Sequence, residues 1–271
     1  MTTENEGTMT ELRLIAAEID RLVWAVSHTV RDQRETLAVA STLPASTFGP
    51  IINLLPFRDQ MTDAFVRRRY IYRPETVNTD FITSLGETGL FTRAGDRLVP
   101  TDSLAPLVDE VNAAIDTACR DFWTAHTELA LSISQTAGLV LENATDRDGL
   151  VLAAQGLDEA QDPLHRCWQR LTALRLVRNE AHVAAWQSFD LSAADVEFLT
   201  AARAGATPGT SADLSGEMNR RGLVADALVT EAGSALREQI EDATDDGVAA
   251  AFDGIDRTVL WGQLRNLPPR N

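Results

Sequence analysis

Two stretches of this chain, 129 positions apart, follow the same pattern, and a chain that uses one module twice has few folds open to it. The later stretch is Arg220-Arg221-Gly222-Leu223-Val224-Ala225-Asp226-Ala227-Leu228-Val229-Thr230-Glu231-Ala232-Gly233-Ser234-Ala235-Leu236-Arg237. Gly222 suits a left-handed helix cap, Leu223-Val224 and Leu228-Val229 suit very short apolar strands, and Thr230 suits the N-cap of a new helix. Upstream, Gly89-Leu90-Phe91, a turn through Arg93-Ala94-Gly95-Asp96-Arg97 and Leu98-Val99-Pro100-Thr101 lead into a helix beginning near Asp102. Setting Thr101 against Thr230 also pairs Leu107 with Leu236, Val111 with Ile240, Asp116 with Asp245 and Trp123 with Phe252. The reading is an internally duplicated unit in which a helix, a hairpin and a second helix follow one another.

That unit predicts a mainly α fold of two winged-helix-like halves, with small two-stranded β wings and long packing helices. Residues 1–10 read as a disordered tail, 11–138 as the N-terminal half and 139–271 as the C-terminal half. The boundary is marked by Gly138 and the cluster Asn143-Ala144-Thr145-Asp146-Arg147-Asp148-Gly149. In the first half, Leu12, Ile15, Ile19, Leu22, Val26 and Val30 form one helical stripe, suited to core or to a dimer seam. Pro44, Pro50 and Pro56 punctuate the next segment, Pro74 to Leu85 reads as a helix, and the helix from Asp102 is expected to run past Trp123 to Gln135.

In the second half, Leu150 to Leu157 reads as an apolar helix. Pro163 to Trp186 reads as a central helix, apolar nearly all round and so buried on several sides. Ser192 and Asp195 form a capping-box-like start for a helix ended by Gly205. Thr207-Pro208 opens the helix before the second wing, and Glu231 to about Asp246 is the last helix before a polar, proline-containing end.

Charge limits what such a fold can bind. The net charge is −16 and the pI is near 4.6, so the field of the whole molecule repels polyanions at long range. The chain contains no lysine; all 24 positive side chains are arginine, which excludes Schiff-base and phosphate-loop lysine chemistry. The concentrated basic stretch is Arg67-Arg68-Arg69-Tyr70-Ile71-Tyr72-Arg73. If extended, it places Arg68, Tyr70 and Tyr72 on one side and Arg67, Arg69, Ile71 and Arg73 on the other. Together with Arg93 and Arg97 on the first wing, Arg67, Arg68, Arg69 and Arg73 are candidates for DNA phosphate contact. The alternative is that these arginines pair internally with some of the 40 carboxylates. The second copy offers Asp213, Glu217 and a wing tip at Asp226 without arginine, so the DNA face is assigned to the first copy.

A second candidate site lies on the central helix. At about 100° per residue, Trp168, Arg175, Asn179, His182 and Trp186 fall within roughly 60° of one another, with Arg178 just off the stripe. Ionisable groups on an otherwise apolar helix must be paired or face a cavity. These six residues are therefore candidates to bind a small aromatic or carboxylate ligand, the alternative being salt bridges to neighbouring helices. No catalytic residue, metal site or cofactor is assigned. Cys119 with His126, and His165 with Cys167, lack zinc-ligand spacing, and Glu180 and His182 diverge on a helix. The two cysteines fit a reducing cytoplasm, and neither a targeting peptide nor a membrane-spanning run is evident.

The Arg-Gly-Leu-Val hairpin and the Leu-x-Thr-x-x-Gly-x-x-Leu that follows resemble the wing of MarR-type bacterial regulators. Pro163, Trp168, the run Leu174-Arg175-Leu176-Val177-Arg178-Asn179-Glu180-Ala181-His182-Val183-Ala184-Ala185 and Thr230 to Arg237 resemble a bacterial family of MarR-related tandem winged helix-turn-helix proteins, over about residues 163–246. The resemblance implies a helical protein with small wings and carries no established activity with it. The first functional reading is a MarR-like winged-helix transcription regulator of duplex DNA, responsive to a small ligand. The other is a winged-helix-derived small-molecule-binding protein that no longer binds DNA, and an enzymatic reading rests only on His182 and its arginines. A monomer with pseudo-two-fold halves and a homodimer are both compatible with the pattern.

Overall fold

The computed structural model describes residues 10–144, 149–203, 212–226 and 228–269. In chain order the helices are α1 (Glu11–Asp32), α2 (Ala45–Ile52), α3 (Asp63–Arg69), α4 (Glu75–Glu87), α5 (Leu104–Trp123), α6 (Thr127–Asn143), α7 (Gly149–Gln155), α8 (Pro163–Ser188), α9 (Ala193–Arg203), α10 (Ala212–Arg220), α11 (Glu231–Ala249) and α12 (Arg257–Asn266). Strands β1 (Phe91–Ala94) and β2 (Arg97–Pro100) lie between α4 and α5; β3 (Val224–Ala225) and β4 (Leu228–Val229) lie between α10 and α11. The fold is mainly helical with two small antiparallel hairpins, as the pattern predicts. The expected tail (except Thr10), the Gly205 stop and the Thr207-Pro208 helix start lie outside the described residues.

The apolar stripe of α1 is buried by α5, α8 and α12 of the same chain, so it is core. Helix α8 runs through the centre, packed against α1, α5, α6, α7 and α11, which is why its sequence is apolar on nearly every side. The main core draws on residues either side of 138. Gly138 itself lies inside α6. A Cβ there would sit 2.9 Å from the Arg170 guanidinium, which crosses to donate to the Ser134 carbonyl (2.9 Å).

Three further expectations are corrected. The helix from the first wing does not continue to Gln135 but breaks at Thr124–His126, where Trp123 is fully buried and its indole Nε1 donates to the Pro268 carbonyl (2.5 Å). The polar end contains α12, whose Leu260 and Leu264 are buried. Arg67, Arg68 and Arg69 are not extended. Thr62 caps α3 by accepting from the Phe65 amide (3.0 Å), and the three arginines form its last turn, where positive charge suits the helix dipole.

Two units of paired helices and a hairpin result, α3–α4 with β1–β2 and α9–α10 with β3–β4. Each hairpin is entered through a glycine with positive φ, Gly89 (73°) and Gly222 (69°). Each is closed by the threonine that follows it. Thr101 Oγ1 donates to the Gly89 carbonyl (2.7 Å) and its amide to the Leu90 carbonyl (3.0 Å); Thr230 Oγ1 donates to Gly222 (2.6 Å) and its amide to Leu223 (3.1 Å).

The units differ in how they are held. The first wing is joined to the body by the Thr62–Arg97 bridge and by the Leu98 amide donating to Met61 (3.1 Å), and Phe81, Ile82 and Leu85 of α4 join Phe91 and Leu98 of the wing in the main core. The second unit folds over a small core of its own, Phe198, Leu199, Ala202, Met218, Leu223 and Val224. Ser192 and Asp195 form the expected capping box at the start of α9. The Ser192 amide donates to Asp195 Oδ2 (2.6 Å), and the Asp195 amide donates back to Ser192 Oγ (3.2 Å).

Candidate nucleic-acid interface and an arginine-lined cleft

In a winged helix, the second helix of the helix-turn-helix is the one that approaches the major groove. In the first unit this is α4, which buries Asn78, Phe81, Ile82 and Leu85 and exposes Glu75, Val77, Asp80, Thr83 and Glu87. The exposed face is acidic. In the second unit it is α10, where Asn219 and Arg220 are exposed, Arg220 is ion-paired with Glu217, and Met218 is buried.

The arginine stretch is used largely inside the fold. Arg67 pairs with Glu75 and donates to Thr79 Oγ1 (3.3 Å), fastening α3 to α4. Arg68 Nε donates to both oxygens of Glu180 (3.1 Å each), fastening α3 to α8. Arg73 lies over the Tyr70 ring at 4.1 Å. On the first wing, Arg93 is half exposed and pairs with Asp63, while Arg97 is exposed and donates to the Asp59 carbonyl (3.4 Å). Arg93 and Arg97 are thus the exposed ones, and Arg67, Arg68 and Arg73 are partly buried.

Arg69 goes elsewhere. It lines an open cleft of about 150 Å³ between α1, α8, α11 and the end of α3, and Arg175, Arg178, Asn179 and His182 line it as well. Four of the six candidate ligand residues therefore meet at one place. The two tryptophans do not line it. Trp168 turns to α1, its Nε1 donating to the Val23 carbonyl (3.3 Å), and Trp186 donates to Tyr72 Oη (3.1 Å). They share an angle on α8 but stand about 27 Å apart along its axis, a separation that angular periodicity does not register.

Around the cleft, Arg175 pairs with Asp20 and lies over the Trp24 ring at 4.8 Å. Arg178 pairs with Glu241 (2.6 Å) and approaches Asp245 (3.6 Å), and Asp245 also receives Arg13 (3.1 Å). Burial works to raise Glu241, but Arg178 more than offsets it, and the carboxyl stays below its ordinary range. His182 Nδ1 is 2.6 Å from Tyr72 Oη. Because Trp186 donates to that oxygen, the hydroxyl hydrogen is available to His182 Nδ1, which assigns the remaining ring proton of a neutral imidazole to Nε2. Burial holds His182 below the ordinary imidazole range, Arg178 and Arg237 adding to the effect against Glu241.

Other groups have structural roles. His165 Nδ1 is 2.7 Å from Asp116 Oδ1, and burial lowers its pKa. Cys119 and Cys167 are buried, which raises both thiols, Cys167 to about 12, so neither is a ready thiolate. No helix among the described residues is long and apolar enough to cross a membrane.

Sequence reasoning missed Tyr72 and Glu241 as partners of His182, and Arg69 as a cleft residue. The chain distances are long, with 110 positions between Tyr72 and His182, and no local pattern signals them.

Paired helices followed by a closing hairpin are the elements of a protein of the helix-turn-helix class. The chain belongs to a helix-turn-helix family, whose model matches residues 92–267. The match takes in the second unit whole and the first from its wing onward; no curated protein and no solved structure matches the chain. Membership suggests a DNA-binding regulator.

Proposed function

We propose that this protein is a ligand-responsive, MarR-like winged-helix transcription regulator, built from a duplicated helix-turn-helix unit. The observation that carries the reading is the repeated clasp, in which the same threonine-to-glycine and threonine-to-leucine hydrogen bonds close both wings. The family match and the paired positions beyond each threonine support it. The division into halves at residue 138 follows as a statement about descent, with α6 and α8 since packed into one core.

In this reading the first wing meets phosphate through the exposed Arg93 and Arg97, whose present partners are the Asp63 carboxylate and the Asp59 carbonyl. Arg67, Arg68 and Arg73 support the interface by fixing α3 and α4 rather than by reaching DNA. The test is binding to a pool of duplexes of random sequence, followed across salt. Affinity should fall by orders of magnitude from about 50 to 200 mM salt if several phosphates are contacted.

A second reading, a winged-helix descendant that binds a small molecule and no longer binds DNA, draws on the acidic face of α4 and the internal use of the arginines. The absence of duplex binding at low salt would select it.

A further inference from the structure

The turn between α3 and α4 reaches across the molecule. Ile71 and Tyr72 pack against a cluster that includes Val183, Ala185 and Trp186 of α8, Val196 of α9 and Ile240 of α11, so the turn of the first unit is seated among helices that serve the second. Apolar packing holds the segment there, and one polar contact fixes its position. The Tyr72 hydroxyl donates to His182 Nδ1 (2.6 Å) and accepts from Trp186 Nε1 (3.1 Å). Among the described residues the hydroxyl has no other acceptor within hydrogen-bond distance.

That arrangement suits a neutral imidazole alone. Only a ring without a proton on Nδ1 can accept from Tyr72, and a ring that gains one puts two hydrogens into a gap of 2.6 Å. The hydroxyl must then turn away, and it meets no second acceptor.

The charges facing His182 oppose protonation as well. Arg178 of α8 and Arg237 of α11 stand against one carboxylate, Glu241, which is 3.8 Å from His182 Nε2 and is already held by Arg178 (2.6 Å). Asp245, farther along α11, is shared by Arg178 and Arg13 of α1. From α3, Arg68 faces Tyr72 and is held by Glu180 of α8, while Arg237 donates to Thr200 Oγ1 of α9 (2.6 Å). Burial adds to these effects, so the ring stays neutral until the pH falls below the ordinary imidazole range. His182 lines the open cleft, which gives a solvent proton its route to the ring.

We propose that Tyr72, His182 and Trp186 form a proton-operated latch between the two units. With a neutral ring the latch is closed, and the α3–α4 turn is fixed to α8. A solvent proton taken up by the Nδ1 lone pair breaks the Tyr72 hydrogen bond, and the turn loosens from the cluster it shares with α9 and α11. Motion of the first helix pair is then no longer tied to the second. The latch does not depend on DNA binding.

The experiment uses the full chain and follows three signals from about pH 7.5 to about pH 5. They are the ring resonances of His182, the indole N–H of Trp186, assigned with Trp186→Phe, and the amide of Arg73, which closes the turn by donating to the Tyr70 carbonyl (2.9 Å). All three should change around one midpoint below 6.5. Exchange of the indole hydrogen with solvent, corrected for the intrinsic effect of pH, should accelerate about tenfold across it, as loss of one hydrogen bond predicts. Amides of β1–β2 should keep their protection.

His182→Gln should make the indole and Arg73 signals independent of pH. Tyr72→Phe should leave the indole open at every pH and move the His182 midpoint upward, because the neutral ring loses its donor; a tyrosine that merely packs would leave that midpoint where it was. His165→Gln should leave the transition intact.

The proposal is overturned if the wild-type indole is as protected at about pH 5 as at about pH 7.5, or if His165→Gln removes the transition. Loss of β1–β2 protection in the same step also overturns it, since that is acid unfolding of the whole rather than release of one turn. Should a substituted chain fail to fold, the wild type still decides: an indole that does not follow the His182 titration ends the idea.

Discussion

The first helix-pair-and-hairpin unit is built into the main body, and the second is attached to it. Both wings are closed by the same clasp, yet Phe91 and Leu98 of the first reach the main core, while Leu223 and Val224 of the second reach only a satellite cluster with Phe198 and Met218. The first hairpin also gains a third pairing through Thr62, and the second has two residues per strand. Identical local chemistry therefore gives two modules of different autonomy, and long-range burial sets the difference. A satellite core opens at lower free energy than the main one, which makes the second unit the more mobile on slow timescales.

Five changes test that contrast, from the largest expected effect to the smallest. Phe91→Ala empties a main-core site that is 1% exposed and should cost about 3–5 kcal/mol across the whole molecule, read as a single shifted melt. If only β1–β2 amides lose hydrogen-exchange protection, the first unit is no more welded than the second. Gly233→Ala should cost about 2–3 kcal/mol, because the new Cβ would lie 2.1 Å from the Leu223 carbonyl oxygen. Exchange should accelerate in β3–β4 and α9 while β1–β2 stays protected; loosening of both units together would show that they are not separable.

Thr230→Ala should cost about 1 kcal/mol more than Thr101→Ala, measured by denaturant unfolding. Thr230 closes its wing and also caps α11 by accepting from the Gly233 amide (3.1 Å), whereas α5 begins at Leu104 without a side-chain cap. Equal costs would mean that the cap carries no weight.

Acid should weaken the centre of the molecule, where α8 joins the units. His165 and His182 are both held below the ordinary 6.5, so just under that pH the unfolded chain binds more protons than the folded one. Stability is therefore full above about pH 6.5 and falls as the pH drops through it, and His165→Gln and His182→Gln should each flatten the slope of Tm against pH. An unchanged slope in both variants would place the acid sensitivity elsewhere. Smallest in stability, Arg93→Ala with Arg97→Ala should change unfolding by under about 0.5 kcal/mol, as exposed pairs do. The same double variant should make the salt dependence of duplex binding shallower by about 2 in log–log slope, and an unaltered slope would move the interface to the second unit.

What the sequence made legible was local. Gly222, Thr230, the Ser192–Asp195 box and the all-round apolar surface of α8 each act within a few turns of chain, so their structural consequences could be read directly. Arg67 to Arg73 could not, because the partner of Arg68 lies 112 positions away and the cleft that Arg69 lines forms only once α1, α3, α8 and α11 have met. Trp168 and Trp186 show a related failure, since angle alone makes neighbours of residues five turns apart. Helix α12 went unrecognised because it is short and its Leu260 and Leu264 become informative only against α1.

The last described helix lies on the first. Arg21 of α1 donates to the carbonyls of Leu264 (2.8 Å) and Leu267 (3.1 Å), and Trp123 reaches Pro268. During synthesis, α1 must wait for α12, made more than 200 residues later, before that flank is covered, so its burial is completed late and over a long loop. An interval of that kind, in which α1 is made but not yet sheathed, is where a chaperone would find this chain.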